Sequence, residues 1–445
     1  MRMRLMKLEW NEEEFKLLSS IQRTDRSVRK YVEKVDPSGA ESVNGEQSRV
    51  DMVTNQPNEV VGDSATPIQS RSRSTTAISR RKGGGRLIAL DAARGLAVIG
   101  MYLQHFGSNL TISSIVAGNT TLLFVLCGGI SYSIMAQRMM ERGSEPIAFR
   151  ARMIARAVFV DIIGYLLIML NTSYGIILPA YAALFVLALL LVRRSTRTIA
   201  TTAVVLLFLA PPLMLFGSSM LKDSYLLSDI AGGPMSALAL APVFVAGMAI
   251  GRIDLTRIRT GVSLTVGGIV MLVTGKLLGN LVVPGWSARW EQWLISVIDY
   301  SAAPPDEYAI WPLNTTPALW NMLFTTAPHT ASTFQTWIGL GMAFIALGAS
   351  CLIAHKLSAI LIPFAAVGRV ALTMYALQFV IVWILSLLNI DYSMENVPFH
   401  DLVVVLMGLL IGWLFSRMPS GPLENLMRRF DGLFSSAKPV TTPVK

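Results

Sequence analysis

RLIALDAARGLAVIGMYLQHFG, residues 86–107, decides how the rest of the chain is read. The stretch is apolar enough to enter a membrane, yet it carries Asp91, Arg94 and His105. Ionisable groups at membrane depth are costly, so by default they face a protein interior and mark a functional site. On a helix, Arg94 and His105 share one face, about 16 Å apart along the axis. Asp91 stands three residues before Arg94, within ion-pair reach on that face. The plainer alternative is an Arg and a His that snorkel to opposite membrane surfaces.

Working outward, the 445 residues are 53% hydrophobic and 15% charged, with a mean hydropathy of +0.52. Long apolar runs separated by short polar loops point to an all-α, polytopic integral membrane protein. The runs are continuous rather than alternating, which argues against a β-barrel. The net charge of +10 fits basic cytoplasmic loops better than a nucleic-acid partner. Cys127 and Cys351 both fall inside apolar segments and read as packed free thiols. The first 85 residues hold no apolar stretch of the kind a cleavable signal peptide needs.

Three regions follow. Residues 1–85 read as a disordered polar and basic tail that ends in SRSRSTTAISRRKGGGR (70–86). Residues 86–431 form the membrane domain, and residues 432–445 a short C-terminal tail. About ten spans are expected, near 87–106, 114–136, 152–170, 174–192, 198–217, 235–251, 262–283, 334–353, 366–389 and 401–417. The loops alternate in charge. One set is basic (137–152, 193–197, 252–260, 354–363, 416–430). The other holds mostly acids, including Asp223, Asp229, Asp299, Asp306, Glu307, Asp391 and Glu395. The positive-inside rule then puts both termini in the cytoplasm, with Arg94 in the inner half of the first span and His105 at its outer end.

Several groups could carry chemistry. A histidine is the usual base for activating a hydroxyl, and His105, His329 and His400 lie on the outer side of this topology. Arg138, Arg142, Arg150, Arg152 and Arg156 flank the second and third spans on the inner side. They would suit a phosphorylated ligand, or simply anionic lipid heads. Lys276 and Asp161 fall within spans and either pair or line a cavity. Trp286, Trp290, Trp293, Trp311 and Trp320 crowd the outer loop, as an interfacial belt or as a platform for sugar rings. No metal-ligand spacing, Walker A motif or GxSxG elbow occurs, so no metal is expected.

LDAARGLAVIGMYLQHF (90–106) resembles the first helix of the transmembrane acyltransferase superfamily, which includes the acyltransferase-3 enzymes and the heparan-alpha-glucosaminide N-acetyltransferase-like proteins. Arg94 and His105 match the acyltransferase-3 pattern of an Arg, ten residues, then a His. TLLFVLCGGISYSI (121–134), APVFVAGMAIGR (241–252), APHTASTF (327–334), PFAAVGRVALTMYALQ (363–378) and GPLENLMRRF (421–430) are more similar to the bacterial membrane family defined by DUF418.

That resemblance implies transfer of an acetyl or other acyl group from cytoplasmic acyl-CoA to a hydroxyl on a glycan or glycolipid outside. His105 would activate the acceptor or carry the acyl group and Arg94 would orient the donor or the site, with Asp91 as a further candidate catalytic residue. His329 and Lys276 would stand on the acceptor side, and the five arginines would hold the CoA phosphates. The acyltransferase-3 enzymes use an Arg-x-x-Arg pair, whereas Arg138 and Arg142, like Arg152 and Arg156, are spaced four apart here. Membrane lipids are the other expected partners, and a homo-oligomer is open. A different class of function is a lipid or small-solute transporter with Asp91, Arg94, Asp161 and Lys276 along a polar path.

Overall fold

The computed structural model describes residues 75–142, 146–221, 225–298, 320–390 and 399–435. The expected tail from 1 to 74 lies outside them, as do Asp223, Asp299, Asp306, Glu307, Trp311, Asp391 and Glu395. Among the described residues the chain is all helical, with no strand.

The first helix, α1, runs Thr75–Phe106 and so begins before Arg86, inside the stretch read as tail. A short α2 (Leu110–Val116) leads into α3 (Asn119–Glu141). The Asn109 side chain caps α2, and Gly118 turns the chain between them at φ +72°. Then come α4 (Pro146–Ile168), α5 (Leu178–Leu187), α6 (Thr196–Met220), α7 (Tyr225–Ala231) and α8 (Ala237–Ile250). The C-terminal half holds α9 (Ile258–Leu281), α10 (Val283–Ile298), α11 (Thr333–Lys356), α12 (Ser358–Arg369), α13 (Ala371–Leu387), α14 (His400–Ser416) and α15 (Pro422–Ser435).

Each of the ten expected apolar stretches is helical. Four stretches, Leu110–Glu141, Thr196–Ser218, Ile258–Leu281 and Thr333–Lys356, are long and apolar enough to cross a membrane, or five if a bent pair is one span. That pair is α12 and α13, which meet at Val370 with a bend of 69° where one straight span from 366 to 389 was expected. The expected span 174–192 is likewise only the ten-residue α5 and a 3₁₀ turn to Leu190. The boundary expected after 431 falls inside α15, which continues to Ser435.

Helix α1 is the hub. It touches α3, α11, α12, α13 and α14. Ala89, Ala93, Ala97 and Val98 on it are fully buried, and such small side chains let neighbouring backbones come close. The closest crossing is with α12. A Cβ on Gly95 would run into the Phe364 carbonyl, and one on Gly368 into the Asp91 carbonyl. Ala92, Leu361 and Ala365 complete this crossing as a small apolar cluster.

Candidate functional site

The residues singled out along the sequence separate into several places. At the C-terminal end of α1, the His105 ring stacks on Tyr174 with centroids 3.9 Å apart and an interplanar angle of 22°. Phe379 of α13 meets the same ring edge-on at 5.8 Å. Tyr174 also donates its hydroxyl to the His105 carbonyl at 3.0 Å. The imidazole plane is therefore fixed by aromatic walls, while its buried Nδ1 has no hydrogen-bond partner. An unpaired buried nitrogen forfeits its hydration without compensation, so retaining one is informative.

His329 stands close enough to His105 for their charges to act on each other. Its Nε2 lies 2.8 Å from the amide nitrogen of Gln104, the residue before His105. The loop that presents His329 is strained: His329 and Ala331 take φ of 60° and 52°, a left-handed conformation unfavourable for side chains with a Cβ. Local hydrogen bonds hold it there. Thr330 donates its hydroxyl to the Ala327 carbonyl at 2.9 Å, and Ser332 donates to the Thr325 carbonyl at 2.5 Å. The Ser332 oxygen also caps α11 by accepting the Gln335 N–H at 3.0 Å. Burial pushes the His329 imidazole down to about 4, so the ring is neutral at pH 7.

His400 helps set this end of α1 from outside. Its Nε2 donates to the Phe106 carbonyl at 2.6 Å, and Asp401 accepts the Ser108 N–H at 2.8 Å. The first contact occupies a carbonyl that the end of a helix leaves without an intrahelical partner, and the second holds the N–H of the loop that follows.

Arg94 and Asp91 are not part of that assembly. Helical geometry puts Arg94 about three turns below His105. The Arg94 guanidinium reaches Asp91 Oδ1 at 3.5 Å, the Gly368 carbonyl at 3.4 Å and the Ser131 hydroxyl. Three elements thus meet on one side chain: α1, α3 and the break between α12 and α13. Gly368 lies in the last turn of α12, where carbonyls lack intrahelical partners and carry partial negative charge, and the guanidinium supplies the donor. Asp91 additionally feels the charge of Arg369, the next residue at the break. Arg94 is a junction residue here, separate from the His105 centre.

The arginines divide. Arg138, Arg142 and Arg150 are exposed. Arg152 and Arg156 are half-buried and face α15. Arg156 Nε meets Asp431 Oδ2 at 2.5 Å, and the Arg152 charge acts on the same carboxylate. Burial lifts the Asp431 carboxyl above its usual range, against the pull of Arg156. An internal carboxylate therefore sits where a ligand phosphate was expected at these two residues.

Lys276 does not join the histidines. It is exposed on α9 beside Val273 and Leu277, which are half exposed themselves. Asp161 of α4 lies near Tyr165, which donates its hydroxyl to Asp229, and no ion pair joins Asp161 to Lys276. Trp286 and Trp293 on α10 are about half exposed, at 47% and 50%, beside Trp290 and Phe324. Among the described residues no three His, Cys, Asp or Glu side chains converge as metal ligands.

Some participants were not visible in the sequence. Tyr174 lies in the short NTSYG loop and Gln104 looks like any polar residue at a helix end. Gln378 sits in an apolar run, yet is fully buried with neither side-chain atom partnered. Glu424 and Asp431 are polar residues of an amphipathic segment whose burial only the fold reveals.

No curated protein matches the chain. Residues 307–432 match a family model described as "Protein of unknown function (DUF418)". The match takes in His329, the α12–α13 break, Gln378 and the two carboxylates of α15, while Arg94 and His105 lie outside it. Over that C-terminal part the chain is similar to DUF418 proteins, in line with the resemblance carried by PFAAVGRVALTMYALQ and GPLENLMRRF.

Proposed function

We propose that the protein is a membrane acyltransferase that moves an acyl group, acetyl or a longer one, from cytoplasmic acyl-CoA to a hydroxyl of an extracytoplasmic glycan or glycolipid. The observation that carries this reading is the unpartnered Nδ1 of His105, held between aromatic rings at the C-terminal end of α1. A base needs a free ring nitrogen held in a fixed orientation, and the unpartnered Nδ1 on a ring set by aromatic walls offers both. In the proposed step His105 takes the proton of the acceptor hydroxyl, and the oxygen attacks the thioester carbonyl. Collapse of the tetrahedral intermediate expels the CoA thiolate, which recovers the proton from His105. His329, neutral at pH 7, lies beside the base without adding a positive charge.

In this reading the apolar helices form about ten spans of the inner membrane, with both termini cytoplasmic. Arg138, Arg142 and Arg150 are exposed and able to meet the CoA phosphates. Arg152 and Arg156 would do so only on release of Asp431. Arg94 acts at a distance, as a positioning residue that ties α1 to α3 and α12. The half-exposed Trp286 and Trp293 offer flat faces to a sugar ring outside.

The test is acyl transfer from labelled acetyl-CoA in membranes carrying wild-type protein or His105→Ala. Loss of at least about a hundredfold is expected for removal of a general base. Transfer at the wild-type rate in the variant overturns the role of His105.

One observation favours a second reading, a transporter of a lipid or small solute. The break between α12 and α13 lies against an ionisable cluster, and broken helices are a feature of transport sites. The two readings part on donor binding. An acyltransferase melts at a higher temperature with acetyl-CoA, whereas a transporter does not respond to it.

A further inference from the structure

The unpartnered Nδ1 of His105 has a counterpart on α13. Gln378 is 0% exposed, and both its Nε2 and its Oε1 lack a hydrogen-bond partner. It shares the buried stripe of α13 with Met374, Tyr375 and Val382. Two contacts fix its height in the bundle. Tyr102 of α1 donates its hydroxyl to the Met374 carbonyl at 3.0 Å, one turn before Gln378. Three residues further along α1, the His105 ring meets Phe379, the residue after Gln378. Gln378 and His105 thus lie at a similar height along the bundle.

A buried carboxamide costs the fold unless its donor and acceptor are both met, and an apolar residue of similar size would fill the same space. Tyr102 and Tyr375 nearby have their partners, the Met374 carbonyl and the Ile177 N–H at 3.0 Å. Gln378 is the exception, one residue before the Phe379 that touches the His105 ring, and its two unmet groups point to a ligand carrying both a carbonyl and an N–H.

We propose that Gln378 binds the amide-bearing arm of the acyl donor, its Oε1 accepting the N–H of the amide nearest sulfur and its Nε2 donating to a carbonyl of the arm's other amide, and so helps set the thioester toward His105. The proposal rests on the acyl-CoA reading above and deepens it. The arm of a CoA thioester holds two secondary amides between its phosphates and its sulfur, and the nearer one lies two carbons from the sulfur. Binding there makes Gln378 a donor-binding residue that takes no proton in the reaction.

The experiment uses full-length protein in detergent and two probes. One is acetyl-CoA. The other is the same thioester with the amide nearest sulfur replaced by an ester, which lacks the N–H. Wild-type protein is expected to bind acetyl-CoA about tenfold more tightly than the ester analogue. Gln378→Met is expected to bind the two alike, and acetyl-CoA about tenfold more weakly than wild type does. Ligand-free Gln378→Met is expected to melt at or above the wild-type temperature, since an unmet polar group is gone. A lower melting temperature makes Gln378 structural and overturns the proposal. Equal discrimination between the probes by wild type and variant overturns it too, leaving the acyl-CoA reading intact. Failure of wild-type protein to bind acetyl-CoA at all overturns that reading, and the proposal with it.

Discussion

Glu424 grips Thr373 twice: its Oε2 accepts the Thr373 hydroxyl at 2.6 Å, and its Oε1 accepts the Thr373 N–H at 3.1 Å. Oε1 also takes the Leu372 N–H at 2.8 Å, and the Thr373 oxygen accepts the Leu423 N–H at 3.1 Å. A buried carboxylate from α15 therefore caps the first turn of α13, where free N–H groups and the helix dipole both favour negative charge. This cap lets the chain restart a helix immediately after the bend at Val370. Glu424→Ala is expected to destabilise the protein by about 3 kcal/mol and Glu424→Gln by about 1–2 kcal/mol. Thermal unfolding in detergent measures both, and an unchanged midpoint in the Ala variant would refute the capping role.

The second carboxylate of α15 makes a separable prediction. Asp431 and Arg156 are 6% and 21% exposed in their side chains, so removing either strands a poorly hydrated charge. Arg156→Ala and Asp431→Ala should each cost about 2–4 kcal/mol. The double variant should cost less than the sum of the two, by about 1–3 kcal/mol. Strict additivity in unfolding measurements would mean that the two side chains do not interact.

His329 gives the protein a pH dependence whose sign follows from its burial. Its ring titrates at about 4 in the folded protein, against the ordinary 6.5. As the pH falls below about 6.5 the unfolded chain takes up a proton that the folded chain refuses. Stability from this group is thus complete above that pH and is lost on the way down to about 4, in total about 3 kcal/mol. Melting temperatures recorded between pH 7 and pH 4.5 should fall less steeply for His329→Gln than for wild type. Parallel profiles would show that His329 is not buried in its neutral form.

The crossing of α1 and α12 depends on two glycines. A Cβ on Gly368 would meet the Asp91 backbone carbonyl, which cannot rotate away as a side chain can. Gly368→Ala should therefore cost about 2–3 kcal/mol and loosen the Arg94 junction. Gly267 on α9, with nothing within 4 Å of a built Cβ, is the matched control. There an alanine should be neutral or stabilise by up to about 1 kcal/mol through helix propensity alone. Equal effects at both positions, read by thermal unfolding, would rule out the close crossing.

Much of the helical plan is legible in the chain, because an apolar run has few ways to satisfy its backbone out of water. The ten runs become helices, and α9, α11 and α14 fall close to their expected bounds. The break in PFAAVGRVALTMYALQ is not legible, since the run is apolar on both sides of Arg369. It depends on Glu424, some fifty residues away, capping Leu372 and Thr373, and on Arg94 donating to the Gly368 carbonyl. The arginines on α3 and α4 read alike in sequence. Only α15, folding back onto α4, separates Arg152 and Arg156 from the exposed Arg138, Arg142 and Arg150.

The opening stretch shows the same division. From residue types and helical spacing alone, Asp91, Arg94 and His105 lie on one face of a helix that cannot give that face to lipid, because the cost of burying charge is local. Which partners offset that cost is not local. Tertiary packing gives Arg94 to Ser131, Asp91 and Gly368, and encloses His105 between Tyr174 and Phe379. It leaves one nitrogen of His105, and both polar atoms of Gln378, without a partner. A sequence can state that polar groups are buried, but whether each is satisfied depends on side chains brought together from distant parts of the chain.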